Sequence, residues 1–156
     1  MKQHYQAYVQ ATHTVAKTKQ IVMLYDGVIR FIQQAKEAIR ERRIEDRYRL
    51  LLKASEVIYG LQGALDFESG GHIAKVLYNY YSNMDMKIFT IHRTNSMEEC
   101  DVVIAELKQM RDVWAEIDEQ MAGDSAAPQS APAAEVVASS PSGNTGEPPQ
   151  GITLSA

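Results

Sequence analysis

Apolar residues recur at spacings of three and four along most of the first 121 positions, the period of helices with one buried face. From Lys17 to Arg42 the repeat runs through Ile21, Leu24, Tyr25, Val28, Ile32, Ala35 and Ile39. Val22, Ile29 and Phe31 widen it. From Ile44 to Leu65 it runs through Leu51, Ser55, Ile58, Leu61 and Leu65. A third face, from His72 to His92, carries Ile73, Leu77, Tyr80, Met84, Ile88 and Ile91. The fourth is the cleanest: Val103, Leu107, Met110, Trp114, Ile117 and Met121 form a coiled-coil-like seam among charged neighbours.

One short run tests this reading. "MLYDGVIRF", residues 23–31, holds Asp-Gly between apolar stretches, a signal for a hairpin turn. The flanks do not alternate as strands do, and the helical phase passes through Asp26-Gly27 unbroken. A mid-helix glycine costs about 1 kcal/mol against alanine. Close approach of another helix or of a ligand segment to bare backbone would compensate for it. "DFESGG" at 66–71 reads as a turn, and Ser96 followed by Glu99 reads as a capping box that opens the last helix.

Four sided helices joined by short loops predict an all-α fold, an antiparallel up-down four-helix bundle. The expected boundaries are an N-terminal arm over 1–16, the bundle over 17–121, and a disordered tail over 122–156. All five prolines lie in that tail. No aromatic residue follows Trp114, and no lysine or arginine follows Arg111. Such a segment cannot bury enough apolar surface to offset its ordering entropy.

Composition then narrows the function classes. The net charge is −4, with both signs interspersed and no basic stripe among aromatics, so nucleic acid is not an expected partner. Cys100 is the single cysteine and reads as an ordinary helix residue of a reducing compartment. No run is apolar enough to span a membrane, and the N-terminus has no apolar signal core, which predicts a cytoplasmic protein.

Chemistry is sparse. None of His4, His13, His72 and His92 has glutamate three positions before it, as a di-iron bundle needs. There is no haem, P-loop or dinucleotide motif, and no cofactor is expected. "HIAKV" at His72 has the His-x-x-Lys of a histidine phosphotransfer bundle, with valine where glycine belongs. Tyr48, Tyr59, Tyr78, Tyr80 and Tyr81 offer large amphipathic surface suited to binding, including binding to a second copy of the chain. Tyr80 reads as core, while Tyr78 and Tyr81 read either as groove lining or as partly buried core.

"IVMLYDGVIRFIQQAKEAI" resembles the first-helix signature of the flagellin export chaperones, the FliS family. "LDFESGGHIAKVLYNYY" is similar to that family's Leu-Asp-x-x-x-Gly-Gly-x-Ile-Ala pattern, and "LKQMRDVWAEI" to its last helix, with Arg111 and Trp114 in place. The resemblance covers about residues 8–121. It departs at Ala16-Lys17, where Ser-Pro is usual, at "TIHRTNS", and in the long tail. It implies a non-enzymatic bundle that holds the C-terminal helices of flagellin, prevents premature assembly and assists delivery to the export apparatus. The export gate is a further implied partner, and a homodimer is a further expectation. The expected partner-binding residues are Tyr8, Met23, Leu24, Tyr25, Asp26, Gly27, Ile29, Tyr59, Tyr78 and Tyr81. In this picture Asp26 is free to accept a backbone hydrogen bond, and Tyr8 and Val9 of the arm cover part of the surface.

Overall fold

The computed structural model describes the backbone of residues 2–126 and the side chains of residues 17–124. Within them lie four helices, α1 (Lys2–Arg40), α2 (Ile44–Gly63), α3 (Phe67–Thr94) and α4 (Met97–Ala126). The Asp-Gly run is helical, as its unbroken phase predicts. The backbone over 2–16 continues α1 rather than beginning a new element at Lys17. α4 carries on past Met121 to Ala126. The rest of the expected tail lies outside the described residues.

The connections are short because the caps are local. At the end of α3, Asn95 adopts the left-handed conformation (φ 53) that stops a helix, and its N–H bonds to the Ile91 carbonyl. Ser96 Oγ then accepts from the Glu99 N–H at 3.1 Å. The Glu99 carboxylate does not return to Ser96; it accepts from the Thr94 hydroxyl instead. α3 starts earlier than the two glycines suggest. Asp66 accepts from the N–H groups of Glu68 and Ser69 at 3.0 and 3.1 Å, capping a helix that begins at Phe67. These amide bonds hold its carboxyl below the usual carboxylate range. The expected turn at 66–71 shrinks to a kink at Gly71, whose φ of 51 is non-helical.

Polar pairs show the direction of each helix. Thr18 bonds to Asp118, Asp26 pairs with Arg111, and Lys36 pairs with Asp101, so α1 and α4 run antiparallel. Tyr59 bonds to Asp85 and Arg47 to the His92 carbonyl, so α2 and α3 do as well. The core between them holds Tyr25, Val28 and Ile32 of α1, Leu51 and Ile58 of α2, Met84 and Ile88 of α3, and Val103 and Leu107 of α4, none more than 1% exposed. Burial of each large aliphatic side chain contributes about 1.5–3 kcal/mol.

Two expected faces shift by one position. On α2, Ala54 is buried where Ser55 was expected. On α3, Ala74 and Tyr81 are buried while Ile73 is 69% exposed and Tyr80 is half-buried. Both candidate ladders share Leu77 and Met84, so spacing alone leaves residue 80 or 81 to fill the step between them. The structure selects Tyr81, whose hydroxyl accepts from that of Tyr25 at 3.1 Å. Cys100 extends the α4 seam inward by one turn, and burial pushes its thiol up to about 11. The thiol stays protonated and inert at neutral pH.

Candidate functional site

Among the described residues, the end of the bundle near Lys17 carries a groove. There α1, the last turns of α2 and the kinked start of α3 bound an apolar groove of about 490 Å³. Its floor is Leu61, Ala74 and Tyr81, and its walls include Leu24, Leu65, Ile73 and Leu77, with Trp114 reaching in from α4. Lys17, Gln20, Asp66 and Ser69 give it a polar rim. The kink builds this shape. Gly70 is packed so closely that an added β-carbon would stand 2.9 Å from that of Ala74.

The tyrosines at and beneath the floor are electrically quiet. Burial, reinforced by the neighbouring Tyr81, pushes the Tyr25 hydroxyl far above its ordinary pKa. Burial does the same to Tyr80, and it raises Tyr81 against the opposing hydrogen bond from Tyr25. All three phenols remain neutral at any physiological pH. The indole Nε1 of Trp114 is enclosed and faces the Tyr25 hydroxyl, where its N–H opposes the upward shift of that phenol. A groove of this kind offers apolar area and a few fixed dipoles.

The expected site residues do not form a single set. Leu24 lines the groove at 43% exposure. Met23 is exposed on the same helix, and around Gly27 an added β-carbon would meet nothing within 4 Å. That open space corrects the alternative in which Gly27 admits a helix of its own bundle. Tyr59 and Tyr78 are exposed at the α2–α3 seam, where Tyr59 donates to Asp85 and Tyr78 lies against Phe67. Tyr25 and Ile29, by contrast, are buried. They lie on the core side of α1, and no surface reaches them. Tyr81 is buried too, and touches the groove only as floor. Asp26 is not free: its carboxylate accepts from Arg111 Nε at 2.9 Å. The side chain of Tyr8 and the cover expected from the arm lie outside the described residues.

Sequence reasoning missed Ile73, Leu65 and Trp114 as groove residues by assigning them to the core. The paired glycines at 70 and 71 were the available signal, since a kink there turns the following apolar residues away from the common axis. His72, the phosphotransfer candidate, is exposed beside that kink. Among the described residues no His, Cys, Asp and Glu side chains are grouped as a metal ion would need, and no helix is long and apolar enough to cross a membrane.

Fold and groove together define an all-α four-helix bundle with an apolar groove among its described residues. The family model described as flagellar protein FliS matches residues 1–121. The chain is 30% identical over 115 residues to the flagellar secretion chaperone FliSB of Pseudomonas aeruginosa, covering 73% of this chain and 91% of that one. It is 29% identical over 114 residues to the flagellar secretion chaperone FliS of Campylobacter jejuni, covering 72% and 89%. It is 31% identical over 99 residues to the FliS of Vibrio cholerae, covering 64% and 73%. The chain belongs to the FliS family.

Proposed function

We propose that this protein is a flagellar secretion chaperone whose groove holds the C-terminal helical segment of flagellin. The observation that carries the reading is the apolar groove beside the α3 kink, in a chain of the FliS family. Flagellin's terminal segments bury one another in the filament. As free subunits they are unfolded, apolar on one face and prone to assemble early. An amphipathic helix laid against Leu24, Leu65, Ile73 and Leu77 has that face covered, the helix-in-groove mode of recognition. Coupled folding and binding of this kind buries roughly 1,000–3,000 Å² and costs roughly 2–5 kcal/mol in ordering. The driving force is burial, so no nucleotide hydrolysis is required. Delivery to the export apparatus follows as release of a subunit kept unassembled.

The test is co-purification with full-length flagellin and with flagellin lacking its C-terminal helices. The full-length subunit forms a soluble pair with the chain and the truncated one does not. Trp114, the only tryptophan, lines the groove and reports occupancy through its emission. Capture of both flagellin forms, or capture without any change in emission, sinks the assignment of the groove.

A further inference from the structure

The outer side of the α2–α3 pair carries a second patterned surface. Tyr48, Leu52, Ser55 and Tyr59 step by four, three and four along α2, and Tyr78, Ser82, Asp85 and Phe89 step the same way along α3. Each run is a stripe on one side of its helix. The core takes a different stripe from each: Leu51, Ala54 and Ile58 on α2, and Met84, Ile88 and Ile91 on α3. Polar and ring contacts hold the two outer stripes edge to edge. Tyr59 donates to Asp85 at 3.0 Å and Gln62 to Ser82 at 2.7 Å. The Tyr48 ring lies 5.5 Å from that of His92, and Phe67 lies 5.9 Å from Tyr78.

A single chain leaves this surface in water: Tyr48, Leu52, Tyr59, Phe67, Tyr78 and Phe89 are 43–61% exposed. An aromatic side chain carries roughly 150–250 Å², so five half-exposed rings present about 500 Å². Leu52 and the half-buried Ser55, Ser82, Asp85 and His92 between them bring the face to the roughly 600–1,000 Å² per partner of a stable complex. Two features identify the occupant. A two-fold axis sets residues near it against their own copies, so an unpaired charge there meets itself. Within the stripes the one charged side chain is Asp85, already bonded by Tyr59. Burial, with the nearby Arg47, lowers the pKa of His92 and keeps its imidazole neutral. The other polar groups are the hydroxyls of Tyr48, Ser55, Tyr59, Tyr78 and Ser82. A hydroxyl both donates and accepts, so it can bond to an identical group across an axis, as a lone carboxylate or ammonium cannot.

We propose that a second copy of this chain covers this surface, with α2 and α3 of one copy against α2 and α3 of the other about a two-fold axis. No residue of the two stripes lines the apolar groove, so the groove of each copy stays free in the pair. Tyr59 and Tyr78 then serve the pairing rather than the groove. The pairing does not rest on what the groove holds.

The experiment is sedimentation equilibrium of the full-length chain over a range of concentrations. The expected mass is twice that of the 17.5 kDa chain. Phe89→Glu and Leu52→Glu each place a charge on the stripes and are expected to raise the dissociation constant about 100-fold, the scale of a like-charge juxtaposition in an interface. Val102→Glu, an equally exposed site on α4, is expected to leave the mass unchanged. All three side chains are exposed, so helical content by circular dichroism should hold. A mixture of isotope-labelled and unlabelled chains reads the face with no substitution: intermolecular NOEs are expected from the ring protons of Tyr48, Tyr78 and Phe89. A single-chain mass for the unaltered protein overturns the proposal. So does a pair that survives both stripe variants, one that dissolves in Val102→Glu, or intermolecular NOEs from other faces alone. Flagellin capture is expected to persist in Phe89→Glu and Leu52→Glu. Its loss there, with the mass of the chain alone unchanged, gives the surface to flagellin and overturns the pairing. Trp114 emission reads the groove by itself, so failure of the groove assignment and failure of the pairing are seen separately.

Discussion

Midway along the bundle, Ile32, Leu51, Ile88 and Leu107 are sealed from solvent, whereas at the Lys17 end Leu24 and Ile73 keep 43% and 69% of their surface exposed. The residue types are the same and so is the spacing. The difference is how completely the neighbouring side chains close over them. In the middle all four contribute to one core. At the Lys17 end the Gly71 kink interrupts α3, and apolar side chains of all four helices line a groove. A run of apolar residues at helical spacing is therefore sealed in the core at one place in the chain and lines a groove at another.

The two regions should respond in opposite ways to the same kind of substitution. Ile32→Ala leaves a cavity in a closed core and is expected to lower stability by about 2–5 kcal/mol, measured by urea unfolding. Ile73→Asp touches a side chain already largely in water, so its effect on stability is expected to stay within about 0.5 kcal/mol. Flagellin capture should be lost in Ile73→Asp and retained by whatever fraction of Ile32→Ala is folded. A large loss of stability in Ile73→Asp would erase the distinction.

The boundary between the regions is the Tyr25–Tyr81 hydrogen bond, with Tyr81 forming the groove floor above it. Tyr25→Phe leaves the Tyr81 oxygen without its donor in a buried site, an expected loss of about 1–3 kcal/mol. The double change to phenylalanine at both positions is expected to recover part of that loss, because no polar atom is then stranded. Thermal unfolding of the two single variants and the double variant checks this. Fully additive losses would mean that the pair is not coupled.

Much of the packed middle was legible in the sequence. The α4 seam from Val103 to Trp114 and the α1 face from Tyr25 to Ala35 follow from spacing, because a residue repeated every three or four positions has one side to hide. The open end was not legible in the same way. Spacing gave Ile73 and Trp114 the same standing as Ile88 and Leu107, since periodicity reports which side a residue is on and not how many neighbours close over it. Asp26 likewise offered no local sign that its partner would be Arg111, far along the chain. The choice between Tyr80 and Tyr81 turned on a hydroxyl contact to another helix, which no single-helix pattern contains.

Gly27 is the next place to separate the regions. It lies on the outward side of α1 with open space where a β-carbon would be. Gly27→Ala removes a mid-helix glycine without creating a clash, so stability is expected to rise by up to about 1 kcal/mol. If the flagellin segment extends from the groove onto this bare backbone, capture weakens while the fold gains. Raised stability with unchanged capture would end the occupied surface before Gly27.

The smallest effect is expected at the Asp26–Arg111 pair, which ties α1 to α4 beside the groove. The two side chains keep 42% and 35% of their surface, so solvent screens them and the coupling should be only about 0.2–1 kcal/mol. A double-mutant cycle with Asp26→Asn and Arg111→Gln measures it, and the coupling should fall as salt is raised. Trp114 lies one turn beyond Arg111 on α4, so its emission shows whether loss of the tie loosens the groove wall. A coupling well above 1 kcal/mol, or one indifferent to salt, would mean that this edge is shielded like the core. The open region would then be confined to the α2–α3 side, where Leu65 and Ile73 stand, and Leu24 would no longer count as part of the binding wall.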